Sequence, residues 1–139
     1  MTDRRSFVTA IGGAFFRARD ASAMQDWYRE MLGLDIDAGF GGTVFRWPTA
    51  DRAEPEGMTV WAPFAADSRY FHPGTADFMI NHRVSDLDAL IAHLTAGGVP
   101  LAGEIEEHPY GRFAWVLDPE GRKIELWEPG AAPPDSETP

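Results

Sequence analysis

The chain has no cysteine among its 139 residues. A disulfide, a thiolate nucleophile and a thiolate zinc site are therefore excluded. The absence fits a reducing compartment, and a cytoplasmic location is the expectation. Positive charge is scarce too: 12 Lys and Arg stand against 22 Asp and Glu, a formal net charge of −10. Such a field favours solubility and opposes a phosphate backbone, so no nucleic-acid partner is expected. No apolar run approaches the roughly 20 residues that span a bilayer, so no membrane partner is expected either. Arg4 and Arg5, the apolar run 7–16 and the small residues Ala21, Ser22 and Ala23 superficially imitate a twin-arginine export signal. Arg17, Arg19 and Asp20 interrupt that pattern, and cleavage would remove a stretch that reads as the first core strand.

What remains is ordinary globular composition, 44% apolar and 24% charged. The length suits one domain over 7–129, with a flexible N-terminus at 1–6 and a flexible acidic tail at 130–139. Residues 7–18 read as a strand rich in β-branched and aromatic side chains, with Gly12 and Gly13 permitting close approach. Asp20 is placed to cap a helix over 21–32, where Met24, Trp27, Tyr28, Met31 and Leu32 recur at helical spacing before Gly33. Strands are expected at 34–40 and 43–47 around a Gly41-Gly42 turn, with Pro48 ending the second. A polar loop at 49–57 and a strand at 58–62, stopped by Pro63, follow.

The pattern then recurs. A strand at 76–84, a helix capped by Ser85 or Asp86 with Leu87, Leu90, Ile91 and Leu94 on one stripe, and strands at 101–107, 112–117 and 122–127 complete a second half. Asp118-Pro119-Glu120-Gly121 supplies turn chemistry between the last two strands. The fold class is therefore α+β. It has two βαβββ modules, about 7–63 and 76–129, forming a curved mixed sheet with helices outside and a central cleft. The linker 64–75 is dense in rings, with Tyr70 and Phe71 beside His72, Pro73 and Gly74. It reads as a lid, a bridge between halves, a dimer contact or a connection pinned to the core.

Two segments carry a family resemblance. Phe15-Phe16-Arg17-Ala18-Arg19-Asp20 leads into Trp27-Tyr28-Arg29-Glu30-Met31-Leu32-Gly33-Leu34, and Trp115-Val116-Leu117-Asp118-Pro119-Glu120-Gly121 leads into Ile124-Glu125-Leu126. Together, and in this element order, they resemble the vicinal-oxygen-chelate superfamily of glyoxalases, bleomycin-resistance proteins and dioxygenases. The resemblance covers about 7–129 and implies paired βαβββ modules and a homodimer. Its members include metal-dependent lyases, isomerases and dioxygenases, epimerases, and metal-free proteins that sequester drugs.

Metal-dependent members take one ligand from each of the first, fourth, fifth and eighth strands, which the resemblance maps to Gly13, Trp61, Met79 and Glu125. Only Glu125 offers a hard donor there, and one carboxylate holds a divalent ion poorly. His72, His82, His93 and His108 are the only imidazoles, and no pair has a His-x-x-x-His spacing. No cofactor is expected, a divalent metal held by non-matching residues being the alternative.

Strand alternation puts Glu125 opposite Ile124 and Leu126, facing the cleft. By the same parity Phe15 and Arg17 share one face, as do Met79, Asn81 and Arg83, and Lys123 and Trp127. Trp61 and Trp115 or Phe113 join them, and Tyr110 and Arg112 stand at a strand entrance. Such an aromatic cleft with a few charges suits a small molecule. Arg17 reads either as an anion anchor, as in glyoxalase I-like enzymes, or as a rim ion pair. The expected function is glyoxalase/bleomycin-resistance-like binding of a small molecule without metal, with cationic aromatics fitting the carboxylates and tryptophans. The alternatives are a metal-dependent lyase, isomerase or dioxygenase, and a metal-free enzyme with Glu125 as general base.

Overall fold

Two aspartates start the two helices of the computed structural model, which describes residues 7–48 and 57–130. Asp20 accepts a hydrogen bond from the Ala23 amide at 2.9 Å and opens α1 (Ala21–Leu32), which Gly33 closes at φ 71°. Asp86, rather than Ser85, accepts from the Ala89 amide at 3.0 Å and opens α2 (Leu87–Ala96). Each cap satisfies an amide that has no partner inside its helix. The expectations for 1–6, for 131–139 and for most of the polar loop at 49–57 lie outside the described residues.

Seven strands form one mixed sheet: β1 (Val8–Ala18), β2 (Thr43–Trp47), β3 (Gly57–Ala65), β4 (Phe78–Val84), β5 (Glu106–His108), β6 (Gly111–Leu117) and β7 (Lys123–Pro129). Their order is β2-β3-β1-β4-β7-β6-β5. The first strand of each half is central. β1 runs parallel to β3 and antiparallel to β4, and β4 runs parallel to β7. The sheet is open and α+β, with β1, β2 and β3 before the joining segment and β4 to β7 after it.

Register divides the sheet into two faces, because partners across a ladder point the same way. One row runs Trp61, Ala14, Ile80, Ile124, Val116, and the next runs Val60, Gly13, Asn81, Glu125, Trp115. The first row belongs to the helix face. There Val84, Leu87, Leu90, Ala114, Val116 and Leu126 form a buried cluster under α2, and Phe16, Tyr28 and Trp61 meet ring to ring under α1. The second row lies on the opposite face.

Three expected strands differ. Residues 34–40 form no strand, and Gly41-Gly42 joins no hairpin. The Asp37 carboxylate instead accepts from the Gly39 amide at 2.6 Å, and the Gly41 amide donates to the Asp37 carbonyl at 2.8 Å. Such side-chain capture competes with a ladder. The first half thus shows three strands among the described residues. Pro63 does not stop β3, which continues to Ala65. β2 reaches only the level of Trp61, so Pro63 sits where β3 has a neighbour on one side alone and its missing donor is tolerated. The expected strand at 101–107 shrinks to β5 and a single bond from the Ala102 amide to the Trp115 carbonyl at 2.6 Å, with Gly103 at φ 149° between them.

Candidate functional site

Glu125 is 2% exposed in the middle of β7. Burying a carboxylate is costly unless donors surround it. Three neutral groups do so. The Asn81 amide nitrogen donates to Oε1 at 2.6 Å, the Trp115 indole donates to Oε2 at 2.9 Å, and the Tyr70 hydroxyl makes a short bond to Oε2. Asn81 and Trp115 are its two cross-strand neighbours, so the ladder itself delivers them. Tyr70 arrives from the segment joining the halves, 55 residues away in sequence.

That segment is held down from both sides. The Arg17 Nε donates to the Ser68 carbonyl at 3.2 Å, its guanidinium lies 4.8 Å from the Phe71 ring centre, and its head pairs with Asp77 at 3.6 Å. The Lys123 ammonium donates to the Tyr70 carbonyl at 2.7 Å and lies 5.2 Å from the Tyr70 ring centre and 5.3 Å from that of Trp115. Phe71 is buried with Met79 and Trp115, flanked by Phe15, Phe64 and Phe113. The Tyr70 ring stacks on Phe64 at 5.5 Å and meets Trp115 edge-on at 6.2 Å. The segment is thus packed against β1 through Arg17 and against β7 through Lys123.

The residues singled out from sequence distribute as follows. Phe15, Met79, Asn81, Trp115 and Glu125 share the face opposite the helices. Arg83 is buried near the end of β4 with its guanidinium 6.0 Å from the Trp127 ring centre, and the Trp127 indole donates to the Tyr110 carbonyl at 3.0 Å. Arg17 is engaged by the joining segment. Two residues fall elsewhere. Trp61 shares a row with Ala14 and Ile80, and its ring lies 4.5 Å from that of Tyr28 under α1. Arg112 is one residue out of phase with Phe113 and Trp115, so it reaches the α2 side and pairs with Asp88 at 2.9 Å. Tyr70 was not among the candidates, because a loop has no alternation to fix its direction; its only signal was the ring density around it.

Gly12 matters to this geometry. A Cβ there would collide with the Asn81 side-chain oxygen and reach 3.0 Å from the Trp127 ring. That Asn81 oxygen is buried and has no hydrogen-bond partner among the described residues.

The donor set does not fit a divalent ion. At the mapped positions Gly13 and Met79 offer no hard donor, and the neighbours of Trp61 that face the site are Val60 and Ala62. Around Glu125 stand an indole N–H, which cannot coordinate, and a phenol that donates to the carboxylate; the Asn81 amide oxygen is the one further hard donor among these neighbours, and two such donors hold a divalent ion poorly. Among the described residues no three His, Asp or Glu are grouped to share a metal. His82 lies on the helix face, and burial lowers its pKa. His108 pairs with Glu106 and stacks on Tyr110.

Burial raises the pKa of the Tyr70 phenol far above its ordinary 10.0, and the Glu125 charge and hydrogen bond add to this. Burial lowers that of Lys123. A phenol that keeps its proton when folded and loses it when unfolded stabilises the fold fully below about pH 10, and that contribution fades as pH rises further. The urea midpoint should therefore fall between about pH 8 and about pH 11 more steeply in the wild type than in Tyr70→Phe. Equal declines would show that the phenol ionises normally.

The sequence matches the Glyoxalase/Bleomycin resistance protein/Dioxygenase superfamily over residues 10–126, and the chain belongs to that family. Similar solved structures include methylmalonyl-CoA epimerase from Mycobacterium tuberculosis, with 22% identity over 97% of this chain and 96% of that one and a TM-score of 0.55. A Streptomyces coelicolor methylmalonyl-CoA epimerase bound to 2-nitronate-propionyl-CoA has 19% identity over 90% and 99%, with a TM-score of 0.65. A superfamily member from Vibrio splendidus 12B01 has 13% identity over 83% and 95%, with a TM-score of 0.51. At these identities the likeness is one of fold. No curated protein gives a significant match to the sequence. Among the described residues no helix is long and apolar enough to cross a membrane.

Proposed function

We propose that this chain binds a small organic molecule on the face around Glu125, and does so without a divalent metal. The observation that carries the reading is a buried carboxylate held by three neutral donors in an aromatic setting. Such a group is a preorganised acceptor, the kind of polar feature that orients a ligand in an apolar site. The charges of this face refine the expected ligand. Arg17, Arg83 and Lys123 stand near Glu125, Asp77 pairs with Arg17, Glu106 lies across the ladder from Phe113, and Glu125 already accepts three hydrogen bonds. With Glu125 already satisfied, the Lys123 ammonium over the Tyr70 and Trp115 rings supports an electron-rich ring as the ligand, beside the cationic aromatics expected from sequence.

The test is a fragment screen read on the Trp115 indole N–H by nuclear magnetic resonance, with metal content measured in protein purified without chelator. Fragments should shift that resonance, and metal should be far below one equivalent. A screen that leaves the resonance unmoved would reject the binding reading. Stoichiometric metal lost on Glu125→Gln would reject the metal-free one and favour a metal-dependent lyase, isomerase or dioxygenase.

A second reading, a metal-free enzyme with Glu125 as general base, draws on the Tyr70 contact. Turning Tyr70 away frees a lone pair on Oε2 beside a proton donor. General bases contribute roughly 100- to 10,000-fold, so Glu125→Gln should remove a turnover found by substrate screening by at least about 100-fold.

A further inference from the structure

The side chain that completes the Glu125 site is itself shaped like a ligand. Tyr70 presents a flat ring and a hydroxyl. The ring stacks on Phe64, meets Trp115 edge-on and lies under the Lys123 ammonium, while the hydroxyl donates to Glu125. Each contact selects a chemical property: a planar face, an electron-rich ring, and an O–H donor at one end. The residue also has a route out. Tyr70 is 38% exposed, whereas the adjacent Phe71 is 1% exposed. Rotation of Tyr70 alone would vacate the place over Glu125 and leave Phe71 anchoring the segment. Asn81 and Trp115 would go on holding the carboxylate, now with one lone pair open.

We propose that Tyr70 is a built-in stand-in for the ligand, and that the site takes hydroxyarenes, which bind by displacing its phenol from Glu125. The inference rests on the reading of this face as a small-molecule site and names the class of molecule. Tyr70 then competes with the ligand. Affinity in the wild type is the intrinsic affinity reduced by the fraction of molecules with Tyr70 turned out.

The probe is 4-methylphenol, which reproduces the tyrosine side chain, with toluene as the partner lacking the hydroxyl. Binding is measured by calorimetry and by the Trp115 indole resonance, in the wild type, Tyr70→Ala and Tyr70→Ala/Glu125→Gln. Expected are saturable 4-methylphenol binding by the wild type, at least tenfold tighter binding by Tyr70→Ala, and a return of the Trp115 resonance in the filled variant toward its wild-type position. Toluene should bind Tyr70→Ala at least tenfold more weakly, and Glu125→Gln should erase the preference for the phenol. Equal binding of toluene and 4-methylphenol would overturn the proposal. So would binding by Tyr70→Ala with none in the wild type at millimolar probe, since the phenol would then be a fixed part of the core. Should Tyr70→Ala fail to fold, wild-type competition between the two probes decides the question on the same criteria. The broader reading has a separate outcome: if other fragments shift Trp115 and phenols do not, the site stands and the ligand class fails, whereas silence from every fragment sinks both.

Discussion

Glu125→Ala should lower stability by about 3–5 kcal/mol, because buried donors left without an acceptor cost about 1–3 kcal/mol each. Asn81 and Trp115 are 3% and 5% exposed, and both sit in strands that cannot turn them toward water. Tyr70 is more exposed, so its share is the smallest. The vacated carboxyl volume adds a cavity beside the Trp115 ring. Urea unfolding measures the effect, with Glu106→Ala as the control. That carboxylate pairs with His108 at the surface and should change stability by no more than about 0.5 kcal/mol. A loss below about 1 kcal/mol for Glu125→Ala would mean that the donors find other partners and that the carboxylate does not organise the site.

The second large effect is expected at Phe71. Its ring fills the space between Phe64, the Tyr70 ring and the Arg17 guanidinium, and it packs with Met79 and Trp115. Truncation of a buried phenylalanine costs about 3–5 kcal/mol, and Phe71→Ala should fall in that range. Phe45, whose side chain is half exposed on β2, is the comparison and should cost about 1 kcal/mol or less. The larger consequence is local. Without Phe71 the joining segment loses its anchor, and the Tyr70 contact to Glu125 should weaken with it. Trp115, which shares the same carboxylate oxygen, reports this through its indole resonance even where the fold survives. A destabilised Phe71→Ala with an unshifted Trp115 resonance would show that Tyr70 is held by Lys123 and Phe64 alone.

Much of this architecture is legible in the chain because it is periodic or punctuated. The two helices announce themselves through Asp20 and Asp86 and through apolar residues three and four apart. The direction of Glu125 follows from Ile124 and Leu126 beside it, since neighbours in a strand alternate. The same arithmetic groups Met79, Asn81 and Arg83. It misleads where phase cannot be read from one strand. Trp61 and Arg112 are equally aromatic or charged on either face, and only the register to Ala14 and the helix residue Asp88 reveals which face they take. Residues 34–40 look strand-like until Asp37 captures the amides around it. Tyr70 escapes altogether. Its partner is 55 residues distant, and nothing in a turn-rich segment states where a ring will point.

The segment carrying Tyr70 and Phe71 also breaks a symmetry. The chain is built twice, strand, helix and strands in each half, each helix opened by an aspartate. A doubled fold invites two equivalent pockets. The connection between the halves, however, exists only once per chain and has no counterpart to offer a second one. Because this connection supplies both the plug and its anchor, the arrangement around Glu125 cannot be duplicated by the repeat. Titration should accordingly saturate at one molecule per chain, and a copy of the first half made to imitate the second would recover its strands without recovering a binding site.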